Sequence, residues 1–365
     1  KYDEIIKTKE SKRVRGYLSA VDNDIHFGLG DRKSIDSLII QWNSGKIEKL
    51  ANLEANQTIE LSEENASVNK NLNNGNNYWF NKSDSSQLNY TNIENEFNDF
   101  EKEILLPFKQ STLGPSVTSG DVNNDNLEDI FIGGSKGQAG QLFIQINNHY
   151  EKKLNRVFLE DANYEDMESI FIDIDSDNDQ DLYVVSGGNE FNQRSENLKD
   201  RIYLNDGNGN FSRSNQSEIS DYTISGKTVS KIDFDQDGDQ DLIIGNRIIP
   251  QKYPLHEPSI IYENINGKFK NVTYKIAPEF ENFGIVNKVI TTDINNDGWE
   301  DFICVGEWTN IGIFINNKGS FKNVSNQSNL EDLYGWWFDI QETDVNNDGY
   351  KDYIIGNIGT NSKYK

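Results

Sequence analysis

Short apolar runs recur along the chain, and five of them follow a segment that is dense in Asp, Asn and Gly. The pattern is clearest at residues 233–247, DFDQDGDQDLIIGNR, where five aspartates precede the run LIIG. Comparable segments begin at Asp121, Asp173, Asp293 and Asp344, so that successive starts are 52, 60, 60 and 51 residues apart. A period near 50 residues indicates a radial repeat fold.

Each repeat predicts about four β-strands. A short apolar stretch such as SIFID (169–173) precedes the acidic segment, and another follows it. Two further strands flank turn residues, as in RIYLNDGNGNFSR (201–213), because Gly and Asn tolerate a positive φ. Four-stranded units of this length repeated about an axis are the blades of a β-propeller. We therefore predict an all-β chain with an incomplete propeller of five visible acidic loops, preceded by a small β module.

The acidic loops share an order of oxygen-bearing side chains, counted from the first Asp. Positions 1, 5 and 9 are always Asp, and position 3 is Asp or Asn. Oxygen ligands without His or Cys favour a hard cation, and the flexible coordination of calcium by about six to eight oxygens suits them best. An EF-hand would need Glu at position 12, where Ile, Val or Cys stands here. We therefore predict five structural Ca2+ sites, one per loop. Their ligands are Asp121, Asn123, Asp125, Asp129, Asp173, Asp175, Asp177, Asp181, Asp233, Asp235, Asp237, Asp241, Asp293, Asn295, Asp297, Asp301, Asp344, Asn346, Asp348 and Asp352.

The loops differ in charge. Those that begin at Asp173 and Asp233 carry four carboxylates at these positions, against three in the others, so we expect them to bind calcium most tightly. The alternative is five turns without metal, because Asp, Asn and Gly favour turns in any case. Turn chemistry does not require Asp at positions 1, 5 and 9 every time, which argues against that alternative.

Position 6 is Gly in three loops and Asn126 or Asn178 in the first two. These are the residue types that best accept a left-handed backbone.

Composition limits the partners. Asp and Glu number 60 against 35 Lys and Arg, a formal net charge of −25 in 365 residues, which would repel nucleic acids and anionic membranes. We therefore expect no nucleic-acid partner, and membrane association only through a missing anchor or a partner. The single cysteine, Cys304, excludes an intrachain disulfide. Because the chain starts at Lys1 and its only Met is Met167, we expect a fragment.

The acidic repeats resemble the FG-GAP/VCBS repeats of integrin alpha subunits and many bacterial surface proteins. Within residues 16–61, GYLSAVDNDIHFGLG, SIDSLIIQWNSGKIEKL and ANQTIEL are similar to the ASPIC/UnbV module. Residues 94–134, with GGNEF (187–191) and GEW (306–308), resemble large surface proteins of Bacteroidetes. These resemblances imply calcium loops on propeller blades and an extracellular or cell-surface location, at the outer membrane in a Bacteroidetes protein. We predict an ASPIC/UnbV-like β module at 1–64, a linker at 65–77 and the propeller at 78–365.

Insertions after the strand that follows each acidic loop supply the candidate ligand residues. Because neighbouring strands alternate in direction, we expect these insertions on the face opposite the acidic loops. Their aromatic and charged side chains suit recognition of a carbohydrate, a peptide or a surface protein; the alternative is that the aromatics only pack between blades. The candidates are Glu190, Arg194, Arg247, Tyr253, His256, Glu307 and Trp308.

Three functions are open on these patterns. The first is an adhesion or recognition module, which the Bacteroidetes resemblance would place beside outer-membrane nutrient uptake. The second is a polysaccharide lyase or hydrolase, which would need carboxylates or a Lys, Arg or His group converging in a cleft. The third is a scaffold of a surface complex. Glu190, Glu307 and His256 show no spacing typical of catalysis, so we expect a binding or scaffold protein, no enzyme and no catalytic residues.

Overall fold

The computed structural model describes residues 6–9, 24–68, 88–216, 219, 221–328, 330 and 333–359. The chain divides into two compact units, Lys1–Lys82 and Ser83–Lys365. The predicted ranges 1–64, 65–77 and 78–365 stay predictions.

The first unit contains a small antiparallel sheet. β1 (Ser34–Gln41) pairs with β2 (Lys46–Glu54), and β2 pairs with β3 (Ser67–Val68). Gly45 has a φ of 82° in the turn between β1 and β2, a backbone conformation that glycine adopts without steric cost. β3 lies inside the range that the sequence analysis assigned to a linker.

The second unit contains three four-stranded antiparallel sheets and one six-stranded sheet. The three sheets and the first four strands of the fourth are here called the first to fourth blades, and in each blade the strands pair in chain order. The first blade comprises β4 (Val117–Gly120), β5 (Asp129–Ile132), β6 (Gln141–Ile146) and β7 (His149–Lys153). The second comprises β8 (Asp166–Ile172), β9 (Asp181–Ser186), β10 (Arg201–Leu204) and β11 (Ser212–Arg213). The third comprises β12 (Gly226–Ile232), β13 (Asp241–Asn246), β14 (Ile260–Asn264) and β15 (Phe269–Asn271). The fourth comprises β16 (Ile285–Thr292), β17 (Asp301–Thr309), β18 (Gly312–Asn316) and β19 (Phe321–Asn323).

A fifth blade begins with a strand pair, β20 (Gly335–Thr343) and β21 (Asp352–Asn357). The start of β20 also pairs with the end of β17, where Trp336 lies opposite Glu307. The described part of the chain is otherwise nearly free of helix, and none of its helices is long and apolar enough to cross a membrane. Its α-helices are α1 (Arg156–Glu160), α2 (Thr273–Ile276) and α3 (Pro278–Glu281), and single 3-10 turns lie at Glu63–Asn65, Asp99–Glu101, Glu196–Leu198 and Ser325–Gln327. The architecture confirms the predicted incomplete β-propeller.

The second strand of each blade explains why the blades stack. Every residue of β9 is buried, and its side chains alternate between two neighbours because successive residues of a strand point to opposite faces. Leu182 and Val184 pack in a cluster with the first blade. Tyr183 and Val185 pack in a cluster with the third blade. A second strand that is buried on both faces, with apolar residues at its centre, is therefore what an inner blade of the array requires.

Candidate functional site

The five acidic loops connect the first and second strands of successive blades, and the Asp at position 1 closes each loop. In the first loop Asp121 Oδ1 accepts a hydrogen bond from the amide of Asp125 at 3.1 Å, and Asp121 Oδ2 accepts one from the amide of Asn126 at 2.7 Å. Position 6 has a positive φ in all five loops, from 64° at Asn126 to 95° at Gly238. The predicted need for Asn or Gly at position 6 is met. Position 4, which the sequence analysis did not single out, is also left-handed in every loop, as at Asn124.

The Asp at position 9 fastens the loop to the third strand of its blade. Asp129 Oδ2 accepts a hydrogen bond from the amide of Val122 at 3.1 Å, and Asp129 Oδ1 accepts one from the amide of Gln145 at 2.8 Å. The same two bonds recur in the second, third and fourth blades. Burial raises the pKa of Asp181 to about 7 and that of Asp241 to about 8. In the absence of a cation, these carboxylates are therefore costly to keep ionised.

Three loops satisfy part of their own charge through an asparagine at position 3. Its side-chain amide nitrogen donates a hydrogen bond to the carboxylate of the Asp at position 5. With Asn at position 3, these loops have no third carboxylate converging with those at positions 1 and 5. The bonds run from Asn123 to Asp125 at 3.0 Å, from Asn295 to Asp297 at 2.9 Å and from Asn346 to Asp348 at 2.9 Å.

In the two loops with Asp at position 3, several carboxylates converge instead of being bonded to an amide. Carboxylate oxygens of Asp173, Asp175 and Asp181 lie within 4.8 Å of one another, as do those of Asp233, Asp235 and Asp237. In each loop the Oδ1 atom of the Asp at position 1 is buried without a hydrogen-bond partner in the described residues. Burial and the neighbouring carboxylates raise the pKa of the Asp at position 3 in both loops. Converging, unsatisfied oxygens fit a hard divalent cation.

A repeated asparagine that sequence reasoning missed joins the second, third and fourth blades to the loop of the preceding blade. The amide nitrogen of Asn205, at the end of β10, donates to the carbonyl oxygen of Val122 in the first loop at 2.8 Å. Asn264 and Asn316 make the equivalent bonds to the second and third loops. The signal in the sequence is Ile-Tyr-Leu-Asn, Ile-Tyr-Glu-Asn and Ile-Phe-Ile-Asn at the same place in three repeats.

The face opposite the acidic loops carries a feature that the sequence did not predict. Residues 88–116, here called the covering segment, cross the connections between the second and third strands. Glu103 accepts a hydrogen bond from the amide of Tyr253 at 2.8 Å, and Gln110 accepts one from the guanidinium of Arg247 at 2.9 Å. Part of the predicted ligand face is therefore covered by the chain itself.

Four of the seven predicted ligand residues form one network. Arg247 is 3% exposed and forms an ion pair with Glu307, which is 0% exposed. The hydroxyl of Tyr253 donates to Glu307 at 3.0 Å, and the indole nitrogen of Trp308 donates to the Tyr253 hydroxyl at 2.7 Å. Burial raises the pKa of Tyr253, and the carboxylate of Glu307 raises it further. Arg247 and Glu307 thus support Tyr253 from beneath and do not face solvent.

Trp308 is the exposed end of this network. Its side chain is 53% exposed, and its φ of 62° is a strained value for a bulky residue. The irregular pairing of β17 with β20 occurs here, between Glu307 and Thr309. The ring of Trp336 meets that of Trp308 edge to face, with centroids 4.7 Å apart, and also donates to the Tyr253 hydroxyl at 3.2 Å. The expectation that Glu307 and Trp308 lie in an insertion after the second strand was wrong, because β17 continues to Thr309.

The other three predicted ligand residues lie apart from this network. Glu190 is buried, and its carboxylate accepts a hydrogen bond from the amide of Asn189 at 3.0 Å. Arg194 is exposed with a φ of 59°, and His256 Nδ1 lies 3.2 Å from the carbonyl oxygen of Glu257. Among the described residues, none of the three bonds to Tyr253 or Trp308. Ligand contact by all seven residues, and calcium ligation by the loops, stay predictions.

Comparison with known proteins identifies two kinds of module. Residues 2–68 match the model of the ASPIC and UnbV family, and residues 173–244 and 293–355 match the model of an FG-GAP-like repeat. No curated protein matches the chain.

Several solved structures are similar at low identity. One is a lectin from Agrocybe aegerita that recognises non-reducing terminal N-acetylglucosamine, with 16% identity, a TM-score of 0.46, and coverage of 66% of this chain and 60% of the lectin. Another is the biofilm matrix protein Bap1 of V. cholerae, with 13% identity, a TM-score of 0.35, and coverage of 68% and 37%. A third is the exotype rhamnogalacturonan lyase YesX, with 15% identity, a TM-score of 0.35, and coverage of 61% and 47%. The chain spans less than two thirds of the length of each.

Proposed function

This chain combines an ASPIC/UnbV domain with FG-GAP-like repeats, and from that premise we propose that it is a calcium-stabilised recognition protein of the cell surface. The coarser statement, a propeller-like binding or scaffold protein, follows from the repeats and the fold. The finer proposal has three parts: calcium in the acidic loops, a ligand at the aromatic network, and a location outside the cell.

The buried, partnerless Oδ1 atoms of Asp173 and Asp233 carry the calcium proposal. A buried carboxylate oxygen without a donor costs free energy, and in these loops two further carboxylates converge on it. Bound calcium would supply the missing positive charge. The residues at positions 1, 3, 5 and 9 would hold it, in a structural role, because the same arrangement recurs in successive blades.

The exposed, strained Trp308 carries the ligand proposal. A Trp held at a positive φ persists only where its surroundings over-determine it, and such strain is concentrated at functional sites. The Tyr253 hydroxyl accepts from both Trp308 and Trp336, and Glu307 accepts from Tyr253. These bonds hold two indole rings in fixed orientation beside solvent. Fixed aromatic rings with a polar group between them suit a sugar ring or a peptide side chain, so we propose a carbohydrate, peptide or surface-protein partner.

Replacement of Trp308 tests the ligand proposal. We expect calcium-loaded protein to bind members of a glycan or peptide array, and Trp308→Ala to lose that binding while its stability changes by less than about 0.5 kcal/mol, as for other surface substitutions. Tyr274→Ala removes an aromatic that is 81% exposed elsewhere and is the matched control, which should keep binding. Binding retained by Trp308→Ala, together with a large loss of stability, would assign Trp308 to packing alone.

We propose binding without catalysis. The two acids among the candidate ligand residues, Glu190 and Glu307, are both buried, and Glu307 is paired with Arg247. Neither arrangement resembles a solvent-accessible acid and base flanking a substrate. Cleavage of any polysaccharide bound by the chain, with loss of the activity in Glu307→Gln, would contradict this part.

A cell-surface location is supported by the net charge of −25 and by loops suited to calcium, which is abundant outside cells. Antibody labelling of intact source cells tests it. A signal that appears only after lysis would contradict the proposed location.

A further inference from the structure

A path of hydrogen bonds joins the position 9 carboxylates of neighbouring acidic loops. The backbone amide of Asn316 donates to Asp301 Oδ1 in the fourth loop at 2.7 Å, and its side-chain amide donates to the carbonyl oxygen of Phe234 in the third loop at 2.8 Å. The backbone amide of Phe234 donates to Asp241 Oδ2, at position 9 of the third loop, at 3.2 Å. Two residues therefore connect Asp301 with Asp241.

The same path recurs between the earlier loops. The backbone amide of Asn264 donates to Asp241 Oδ1, and its side-chain amide donates to the carbonyl oxygen of Ile174 in the second loop. The Ile174 amide donates in turn to Asp181, at position 9 of that loop. Asn205 joins the second loop to the first in the same way. The four position 9 carboxylates on this path are at most 1% exposed, so water competes little for its bonds.

The third and fourth loops also bond to each other directly. The backbone amide of Asp233, at position 1 of the third loop, donates to the carboxylate of Glu300 at 3.2 Å. The side chain of Gln236, at the left-handed position 4, donates to the carbonyl oxygen of Gly298 at 2.8 Å. An ordered third loop therefore holds partners of the fourth loop in place at several points.

We propose that adjacent acidic loops bind calcium cooperatively through these bonds, an inference that rests on the calcium sites proposed above. Once a cation orders the third loop, Asp233, Phe234 and Gln236 keep their bonds to the fourth loop, so the fourth loop loses less conformational entropy when it binds its own cation. A contiguous network of hydrogen bonds can carry such coupling between two sites. The coupling is reciprocal, so calcium in the fourth loop strengthens binding by the third to the same degree.

Electrostatic repulsion between the loops predicts the opposite sign. The third loop carries five aspartates, so its net charge is −5 without calcium and −3 with it. In Asp235→Ala the loop without calcium carries −4, which is more negative than the calcium-loaded parent loop. Charge alone therefore predicts that loss of calcium from the third loop tightens binding by the fourth. Cooperativity through the bonds predicts that it weakens binding.

Trp299 makes the fourth loop separately observable. It stands at position 7 of that loop, and none of the other four acidic loops contains a Trp. Terbium takes oxygen ligands as calcium does, and it luminesces when a nearby excited Trp transfers energy to it. Titration with terbium under Trp excitation therefore measures the affinity of the fourth loop, and excess calcium should reverse the signal.

We expect Asp235→Ala to lower the terbium affinity of the fourth loop at least about fivefold. In protein that already carries Asn316→Leu, the same change should alter this affinity less than about twofold, because the path between the loops is cut. Asp125→Ala, in the first loop, is the matched control and should also change it less than about twofold, since two further blades separate that loop from Trp299. Circular dichroism checks that Asn316→Leu folds, and the comparison of Asp235→Ala with Asp125→Ala does not depend on that variant.

Two kinds of failure are distinguishable. Unchanged or higher affinity in Asp235→Ala, an equal loss in Asp125→Ala, or an equal effect of Asp235→Ala with and without Asn316→Leu would overturn the cooperativity and leave the calcium sites standing. Absence of a terbium signal that calcium reverses would contradict the calcium site of the fourth loop, and its cooperativity with it.

Discussion

At the residue scale, position 3 of the acidic loops shows how one side-chain atom changes the charge balance. Asn at this position donates to the Asp at position 5, whereas ionised Asp has no hydrogen to donate. The second and third loops therefore hold converging carboxylates. The sequence set the same two loops apart by their four carboxylates, against three in the others; their tighter calcium binding stays a prediction. It could not predict the bond from Asn to Asp, because that bond depends on the turn that brings positions 3 and 5 together.

Asp175→Asn should stabilise the calcium-free protein and weaken calcium binding by the second loop. The new amide can bond to Asp177, and one repelling charge disappears, so we expect a gain of about 1 kcal/mol in EDTA. Calcium affinity of that loop should fall at least about tenfold in a calorimetric titration, because a charged ligand is lost. The reverse change in the fourth loop, Asn295→Asp, is the matched control and should shift both quantities the other way. Lower stability of Asp175→Asn in EDTA would contradict this account of the loops.

Glu165 is a buried acid that the sequence did not single out. Its side chain is fully buried at the end of the propeller opposite the acidic loops, and its Oε1 atom has no partner among the described residues. Burial, with added repulsion from Glu190 and other nearby acids, raises its pKa from 4.5 to about 9. Because the folded value exceeds the unfolded one, the contribution of Glu165 to stability is complete below about pH 4.5 and is lost as pH rises through about 9.

Glu165→Gln should therefore flatten the fall in stability between about pH 5 and pH 9, since Gln is neutral in both the folded and the unfolded chain. At the upper end of this range the variant should be more stable than the parent. Urea unfolding in constant excess calcium measures the profile, and Glu101→Gln, at an exposed acid, should leave the profile unchanged. Parallel profiles for Glu165→Gln and the parent would show that Glu165 does not titrate in this range.

At the scale of the elements, the strands within each blade were predictable and the bonds between blades were not. Apolar runs of period two and Asn-Gly turns carry a local signal. The bond that Asn264 makes between blades carries no such signal. An Asn in a turn is expected from the turn alone, and the carbonyl that accepts its hydrogen bond, that of Ile174, lies in another blade. The end of β17 was misjudged for a similar reason. A charged residue such as Glu307 is expected in a solvent-exposed loop, and only its ion pair with the buried Arg247 explains its place in a strand.

Asn264→Leu should destabilise the propeller by about 2 kcal/mol, because the buried Ile174 carbonyl and the Gly267 amide each lose a partner. Gln145→Leu is the matched control. Gln145 occupies the same position in the first blade, and among the described residues its side-chain amide bonds within its own hairpin, donating to the carbonyl of Asn147 and accepting from the hydroxyl of Tyr150. Urea unfolding should show a cost below about 1 kcal/mol for the control. An equal loss in the free energy of unfolding for Asn264→Leu and Gln145→Leu would mean that the bond between blades does not stabilise the propeller.

At the scale of the whole molecule, the blades form an array in which each contacts its neighbours through opposite faces of its second strand. The sequence predicted this array because its period is visible without any structure. It did not predict the covering segment at 88–116, whose aperiodic sequence is held by separate side-chain bonds to distant connections. The stability of such an array is close to a sum of blade and interface contributions. Loops that recur in every blade can therefore control the stability of the whole.

Thermal unfolding in EDTA and then in millimolar calcium tests the central claim, that bound calcium stabilises this propeller. We expect a large, saturable rise in Tm with calcium, because a cation that binds only the folded loops stabilises them by mass action. Magnesium at the same concentration should raise Tm much less, since it prefers a smaller, more rigid octahedral site. Far-UV circular dichroism on the same samples should show β structure in both conditions below the transition. An unchanged Tm in a folded sample would mean that the acidic loops are turns without metal.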